Sequence, residues 1–311
     1  MESQGLIIEA ENLTRSFKQV QAVNGLDLNI RTGEIFGLVG PDGAGKTTTL
    51  RLLAGLLDPT SGTLEVAGCK LPDQAEALKP RLGYMAQQFS LYAELTVLEN
   101  LNFFADLYDV LGQERQDRIR RLLEFARLTR FKSRRAAHLS GGMQKKLALA
   151  CTLIHQPQVL LLDEPTTGVD PISRREFWDI LAELHLGGTT IVVSTPYMDE
   201  AERCGRVGLI YQGRFVVCDT PTAIQGRVQG ELLALQPDDW QAARRHLIGL
   251  QGVLEVQTYG QTLHLVVDDA RRRQPEIESA LQRAGIGYYS LRPVRARMEE
   301  AFISLVRKQA N

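Results

Sequence analysis

Residues 35–50 read IFGLVGPDGAGKTTTL, and this stretch decides the fold. The apolar run predicts a buried strand, and the glycine-rich loop after it predicts a sharp turn into a helix that begins near Lys46. Gly40, Gly45, Lys46 and Thr47 match the pattern G-x-x-x-x-G-K-[ST]. Glycines let backbone N–H groups converge on phosphate oxygens, and the lysine adds a positive charge. The stretch predicts a nucleotide-phosphate site rather than a ligand-free turn, because the flanking strand and helix are the context that the motif requires.

A second acidic motif follows another apolar run. Residues 158–170 read QVLLLDEPTTGVD, which brings Asp163 and Glu164 to the carboxyl end of a strand. Asp163 can hold Mg²⁺ through water, and the Thr47 hydroxyl can bind the same ion. A carboxylate beside the γ-phosphate, here Glu164, can act as a general base toward an attacking water. Together the two motifs predict a nucleoside triphosphate and Mg²⁺ as ligands and hydrolysis of the γ-phosphate as the reaction.

The chain as a whole predicts an α/β fold. Strand-like runs at 35–39, 82–85, 159–162, 190–194 and 207–211 alternate with helical stretches, which indicates a mostly parallel sheet covered by helices. Residues 97–155 interrupt the alternation with a mostly helical insert. We therefore expect an ATPase domain over residues 1–225. The order β-α-β-β-α-β over residues 226–311 predicts a small α+β accessory domain with a ferredoxin-like arrangement.

Composition and charge narrow the class of protein. The 311 residues are 44% hydrophobic and carry a formal net charge of −1, which argues against a nucleic-acid partner. The four cysteines are scattered without a C-x-x-C pair, so we expect buried, reduced thiols rather than a metal cluster. No apolar run reaches the length of a membrane span, and the N-terminus lacks a signal-peptide pattern. We expect any action on a membrane to pass through another chain.

Segment 115–135 carries nine basic and two acidic residues. Its charges indicate a solvated helix face, or alternatively contact with anionic lipid headgroups or an acidic partner.

A third motif carries a family resemblance. Residues 139–147 read LSGGMQKKL, and with the two motifs above, in this order and spacing, the chain resembles the ATP-binding subunits of ABC transporters over about residues 6–225. The residues of these motifs are most similar to those of the ABC-2 type branch of drug-efflux and antibiotic-resistance ATPases. The resemblance implies a P-loop NTPase fold and separate transmembrane permease subunits. It also implies a peripheral location on the cytoplasmic face of the inner or plasma membrane.

The same motif implies a second ATPase subunit. A helix begins at Ser140, Gly141 and Gly142, and its free N–H groups can bind a γ-phosphate. In the family, this helix faces the nucleotide of the other subunit. The chain holds one phosphate loop and one such signature, so two chains must enclose two ATP molecules head to tail, as a homodimer or a heterodimer.

Further site residues follow from the resemblance. Phe17 stands where the family stacks an aromatic ring on adenine, although a core phenylalanine is the alternative. Gln87 matches a glutamine that contacts Mg²⁺ and the attacking water. Asp170 matches an aspartate that communicates across the dimer, or caps a helix before Pro171, or both. Residues 89–97, FSLYAELTV, resemble the surface that receives a helix from the permease. The implied nucleotide-binding loop comprises Gly40, Pro41, Asp42, Gly43, Ala44, Gly45, Lys46, Thr47 and Thr48.

Pro196 departs from the family pattern. The segment STPYMDEAER aligns with a family segment that reads S-T-H, and the histidine there contacts the γ-phosphate and helps to position Glu164 and water. Proline cannot donate a hydrogen bond. Three outcomes stay open: the chain hydrolyses ATP slowly, pairs with a subunit that keeps the histidine, or binds ATP with scarce turnover. A plain strand-terminating role for Pro196 is compatible with all three.

Two other functional classes stay open. One is a soluble ABC-type factor that acts on ribosomes or DNA, which usually has two cassettes or a coiled-coil insert. The other is a non-hydrolysing scaffold subunit, against which Glu164 argues. The role of the region after residue 225 stays open between dimer contacts and regulation.

Overall fold

The computed structural model describes residues 5–88, 91–228 and 230–310. These residues form two compact units, one up to Asp219 and one from Thr220 onward. The predicted domain boundary, after residue 225, lies six residues further along the chain, past the helix Pro221–Gln225. That helix packs against the last helix of the chain, and this contact assigns it to the second unit.

The first unit contains ten strands and seven α-helices within its described residues. The strands are β1 (Leu6–Phe17), β2 (Val20–Arg31), β3 (Ile35–Val39), β4 (Ser61–Val66), β5 (Cys69–Lys70), β6 (Leu82–Met85), β7 (Val159–Asp163), β8 (Thr190–Thr195), β9 (Arg206–Tyr211) and β10 (Arg214–Asp219). The helices are α1 (Lys46–Leu53), α2 (Ala75–Leu78), α3 (Val97–Leu107), α4 (Gly112–Phe125), α5 (Gly141–Thr152), α6 (Pro171–Leu186) and α7 (Met198–Ala201).

A six-stranded sheet forms the centre of this unit. Its strand order is β10-β9-β3-β8-β7-β6, and all neighbours run parallel except β9 and β10. Every residue of β3, β7 and β8 is buried, as expected for parallel strands that are covered on both faces. The sheet is mostly parallel, as the sequence predicts. The carboxyl ends of β3, β7 and β8 lie side by side.

A second, antiparallel sheet was not predicted from the sequence. Its order is β2-β1-β4-β5, and its inner face joins the same apolar core as β3 and α1. Strands β1 and β2 alternate buried and exposed residues, so they lack the continuous apolar run by which the central strands were recognised.

Helices α3, α4 and α5 surround a separate apolar cluster that lies within the predicted helical insert. The cluster includes Val97, Leu101, Leu123, Leu147 and Ile154. The amide of Asn100, which is fully buried, donates to the carbonyls of Tyr92, Leu95 and Thr96 and so fixes the chain entering α3.

The second unit is a four-stranded antiparallel sheet with helices. Its strand order is β12-β13-β11-β14, and the elements follow one another along the chain as β-α-β-β-α-β between α8 and α11. Helices α9 and α10 pack on one face of the sheet around Leu233, Leu265 and Ile277. The elements are α8 (Pro221–Gln225), β11 (Glu231–Pro237), α9 (Trp240–Leu247), β12 (Val253–Tyr259), β13 (Thr262–Val267), α10 (Ala270–Arg283), β14 (Tyr288–Val294) and α11 (Met298–Ala310).

Candidate nucleotide site

The loop between β3 and α1 is tightly folded against neighbouring backbone. A methyl group added to Gly45 would lie 2.3 Å from the carbonyl oxygen of Ala22, and one added to Gly40 would lie 2.2 Å from that of Ile210. Gly45 also has a φ of 108°, a conformation that favours glycine. Both glycines are therefore required by close approach, as the motif predicts, and α1 begins at Lys46.

Lys46 is buried at the base of this loop. Its ammonium donates to the carbonyl of Gly40 at 2.9 Å and to that of Pro41 at 3.0 Å. It also lies 3.1 Å from Oε1 of Glu164. A buried lysine needs such partners because an unpaired charge is costly to desolvate. The structure thus brings the lysine of the first motif to the carboxylate of the second.

Asp163 is held at the end of β7 by two hydroxyls. Oδ1 accepts from Thr47 at 3.1 Å and from Ser194 at 2.7 Å. Oδ2 is buried and has no hydrogen-bond partner among the described residues. Ser194, at the end of β8, was not predicted as a site residue, although its place at a strand end is the signal that could have identified it.

Glu164 is positioned by both its backbone and its side chain. Its N–H is within hydrogen-bond distance of Ser194 Oγ at 3.0 Å, and its φ is 46°, an uncommon value for a residue other than glycine. Oε2 accepts from the side-chain amide of Gln87 at 2.9 Å and from the hydroxyl of Thr167 at 3.4 Å. The structure therefore brings Gln87 to Glu164.

These residues meet at one cavity of about 250 Å³. Its lining includes six of the nine predicted loop residues, Lys46 among them, and the candidate base, so it can accept a polyphosphate beside a general base. Gly40, Pro41, Ala44 and Asp163 are not among the lining residues. Ala22 is the one lining residue that the sequence did not predict. The cavity is lined by Ala22, Asp42, Gly43, Gly45, Lys46, Thr47, Thr48, Gln87 and Glu164.

Phe17 and the signature residues do not line this cavity. Phe17 ends β1 and is 42% exposed, with the guanidinium carbon of Arg15 4.8 Å from its ring centre, so it is not a core phenylalanine. Ser140 caps α5 by accepting from the N–H of Met143 at 3.4 Å. Gly141 is exposed, and Gly142 is buried against Ser173 of α6.

Lys145, on α5, approaches the site from another side. Its ammonium donates to the backbone carbonyl of Gln87 at 3.0 Å. Partial burial lowers the pKa of Lys145, while the negative charges of Asp163 and Glu164 act in the opposite direction. The signature helix of this chain is thus in direct contact with the segment that carries Gln87, a contact that the sequence analysis did not identify.

The loop that contains Pro196 is organised around a buried glutamate. Glu200 accepts from Thr166 at 2.5 Å and from Thr195 at 2.6 Å, and Arg174 lies 3.7 Å away. The N–H of Tyr197 donates to Thr195 Oγ1 at 3.1 Å. Glu200 therefore joins the end of β8 to the loop after Glu164.

Asp170 caps α6. Its Oδ1 accepts from the N–H groups of Ile172 and Ser173 at 3.1 and 2.9 Å, and these bonds, that of Ser173 foremost, lower the pKa of Asp170. The helix-cap interpretation is confirmed, and a role across a dimer stays a prediction.

The predicted permease-facing segment is described only from Leu91 onward, since Phe89 and Ser90 lie outside the described residues. The ring of Tyr92 lies 4.4 Å from that of Phe103, and both are exposed. Leu107 and Leu111 are exposed nearby along the chain.

More than half of the basic residues in segment 115–135 are paired with acidic side chains, most of which lie outside the segment. Five of its nine basic residues form ion pairs with acidic side chains, which favours the interpretation as a solvated face; these are Arg115, Arg118, Arg120, Arg127 and Arg135. Among the cysteines, Cys69, Cys151 and Cys204 are buried, but Cys218 is exposed, contrary to expectation, because it lies on the outer face of the edge strand β10.

Comparison with known proteins decides the family. The family model of the ABC transporter matches residues 23–167. The chain is 37% identical over 304 residues to "Nod factor export ATP-binding protein I" of Paraburkholderia xenovorans (strain LB400), covering 97% of each chain. The chain belongs to the ATP-binding proteins of the ABC transporter family.

Other members of the ABC transporter family agree with this assignment. "Probable multidrug ABC transporter ATP-binding protein YbhF" of Escherichia coli (strain K12) is 44% identical over 221 residues, which are 71% of this chain but 38% of that relative's length. A solved dimeric ATP-binding cassette in a post-hydrolysis state, bound to ADP and Pi, has a TM-score of 0.63 and 29% identity, covering 68% of this chain and 98% of that chain. The predicted P-loop α/β fold is confirmed. Among the described residues, no helix of this ABC protein is both long and apolar enough to cross a membrane.

Proposed function

We propose that the chain is the ATP-hydrolysing subunit of an ABC-2 type exporter and drives separate transmembrane permease subunits from the cytoplasmic face of the inner or plasma membrane. One observation carries the proposal: Lys46, Gln87 and Glu164 converge on the cavity formed by the phosphate loop. The relatives named for multidrug transport and Nod factor export support export as the process that this hydrolysis powers.

In this proposal ATP binds with its phosphates against the loop Gly40–Thr48. The backbone N–H groups at the start of α1 and the ammonium of Lys46 supply positive charge to the β- and γ-phosphates. Phe17, exposed at the end of β1, is available to stack on the adenine.

The residues present fit a Mg²⁺ ion. The buried, unpartnered Oδ2 of Asp163 is an oxygen acceptor of the kind that a hard cation or its bound water requires. We propose that Thr47, Gln87 and Asp163 hold the ion. When bound, Mg²⁺ would neutralise charge on the β- and γ-phosphates.

Glu164 acts as the general base. It takes a proton from water as the water oxygen attacks the γ-phosphorus, and the bond from phosphorus to the β–γ bridging oxygen breaks to release ADP. Lys46 lies 3.1 Å from Oε1 of Glu164, and we expect bound phosphates to draw its ammonium away. Gln87 then becomes the main donor that holds the carboxylate.

A second ATPase subunit completes each site. Ser140, Gly141 and Gly142 lie at the start of α5, outside the lining of the phosphate cavity, which is compatible with a signature that serves the opposite subunit. The exposed Gly141 can bring its N–H close to a partner's phosphate. We propose a head-to-tail dimer with this chain or with a related subunit.

The permease docks on the helical insert. Tyr92, Phe103 and Leu107 expose apolar surface where α3 begins and ends, and such a patch is typical of a protein interface. We also propose that residues 226–311 form a ferredoxin-like accessory domain, supported by the strand order β12-β13-β11-β14. Nothing in this reading requires a nucleic-acid partner.

Pro196 lowers turnover in this proposal without abolishing it. Lys46, the proposed Mg²⁺ and the signature still stabilise charge in the transition state. A second candidate, a weakly hydrolysing partner in an asymmetric pair, rests on the missing donor at position 196 alone. The ribosome-factor alternative has no comparable observation in its favour.

Steady-state hydrolysis of Mg-ATP by the purified chain tests the proposal. We expect Glu164→Gln to reduce the rate by about 10²–10⁴-fold, because it removes the general base. The matched control is Glu183→Gln, which makes the same change at an exposed position of α6 and should leave the rate unchanged. Equal rates for the wild type and Glu164→Gln, with ATP still bound, would favour the asymmetric pair. Failure to bind Mg-ATP would overturn the proposal.

A further inference from the structure

The loop after β8 leaves Glu164 without a donor from position 196. Pro196 has neither a side-chain donor nor an N–H group. The next amide, that of Tyr197, already donates to Thr195 Oγ1 at 3.1 Å. The orientation of Glu164 must therefore come from other residues.

A continuous series of hydrogen bonds reaches Glu164 from α5 instead. The ammonium of Lys145 donates to the backbone carbonyl of Gln87 at 3.0 Å, and the side-chain amide of Gln87 donates to Oε2 of Glu164 at 2.9 Å. The first bond restrains the backbone of Gln87, and the second uses that restraint to orient the carboxylate.

The start of this series is itself firmly placed. Gln144, the residue before Lys145, donates from its side chain to the carbonyl of Ala136 at 3.0 Å. Lys146, the residue after it, is buried and pairs with Glu176 of α6. Three successive side chains of α5 thus bind three different segments, and Lys145 is the one that binds the segment carrying Gln87.

We propose that Lys145 is a positioning residue that holds Gln87, and through it Glu164, and that it substitutes for the donor missing at Pro196. The inference rests on the proposed function. The positioning effect of Lys145 becomes more important when nucleotide binds, because the phosphates then compete for Lys46. The amide of Gln87 is left as the closest side-chain donor to Glu164 among the described residues. Misplacement of a catalytic group by about 1 Å can cost about 10²-fold in rate.

Kinetics of three variants test the inference. We expect Lys145→Met to lower kcat by about 10- to 100-fold with little change in KM, because it misplaces a group rather than removing a phosphate contact. Lys145→Arg, which keeps a donor, should retain most of the rate. Lys132→Met, the same change at an exposed lysine of the helical insert, is the control and should match the wild type.

The Pro196→His background tests whether Lys145 replaces the donor missing at position 196 or merely stabilises the site. If Lys145 replaces the missing donor, restoring a histidine should make Lys145→Met much less damaging, so the two changes will be strongly non-additive. An equal loss of kcat in both backgrounds would show that Lys145 does not replace the missing donor. An unchanged kcat in Lys145→Met would overturn the inference altogether.

Hydrogen–deuterium exchange supplies a readout that does not depend on turnover. Lys145→Met should increase deuterium uptake in the peptide that contains Gln87, while Lys132→Met should not. Unchanged uptake would refute the restraint even if the chain were inactive. Failure of the proposed function is distinguishable, because it would appear as loss of Mg-ATP binding by the wild-type chain, whatever Lys145 does.

Discussion

Gly142 lies where α5 presses on α6, and the structure predicts the effect of enlarging it. A Cβ atom there would lie 2.5 Å from both Cβ and Oγ of Ser173, closer than real Cβ atoms approach. Overpacking of this kind costs about 1–3 kcal/mol. Alanine gains up to about 1 kcal/mol over glycine within a helix, so we expect Gly142→Ala to have a net cost of about 1 kcal/mol.

Gly141→Ala is the matched variant for this prediction. A Cβ on Gly141 would meet nothing within 4 Å, so this change carries the helix gain without the clash. We therefore expect Gly142→Ala to be less stable than Gly141→Ala by about 1–3 kcal/mol, which is the cost of the clash itself.

Urea denaturation of the nucleotide-free chain measures this difference. Trp178 of α6 is 3% exposed, and in a Trp240→Phe background it is the single tryptophan reporter of the first unit. Ser173→Gly removes both clashing atoms, whereas Ser173→Ala leaves Cβ. The coupling with Gly142→Ala should be favourable for both changes and clearly larger for Ser173→Gly, because Ser173→Ala removes only one of the two clashing atoms. Equal stability of the two glycine variants, or equal rescue by both serine changes, would refute the reasoning.

Two further predictions concern titration and thiol access. Hydrogen bonds from Arg273, which donates to both oxygens of Asp268 at 2.7 Å, lower the pKa of Asp268 from 3.8 to about 2. A depressed folded-state pKa stabilises the fold above pH 3.8, and this contribution is lost as the pH falls through about 2. Asp268→Asn should therefore flatten the acid unfolding curve of the second unit in that window, followed by Trp240 fluorescence in a Trp178→Phe background; an unchanged curve would contradict this. Ellman's reagent should react with Cys218 alone in the native chain, because the other three thiols are buried. The reaction should be slow, since partial desolvation at the protein surface raises the pKa of the exposed Cys218 thiol, and Cys218→Ser should abolish it.

The sequence predicts those parts of the site that are local in the chain. The turn from Gly40 to Lys46 and the strand that ends at Asp163 each carry their geometry in a short contiguous pattern. The parallel strands were recognisable because burial on both faces demands continuous apolar runs.

Contacts between distant segments were not readable in this way. The bonds from Lys145 to Gln87 and from Thr166 to Glu200 join residues 58 and 34 positions apart, and no local pattern specifies them. The antiparallel sheet that contains β1 was missed for a related reason. Its strands show one face to solvent, so their apolar content is diluted.

The tight packing around the phosphate loop has a further consequence for ligand binding. Gly213 donates its N–H to the carbonyl of Ala44 at 2.9 Å, and its own carbonyl accepts from Asn24 at 2.8 Å, while Gly45 lies against the carbonyl of Ala22. The loop is thus held from outside by the turn after β9 and by β2. A loop whose shape is set before the ligand arrives loses little conformational entropy on binding, so more of the contact energy appears as affinity. The affinity for nucleotide in this chain accordingly depends also on Asn24 and Gly213, which lie outside the lining of the phosphate cavity.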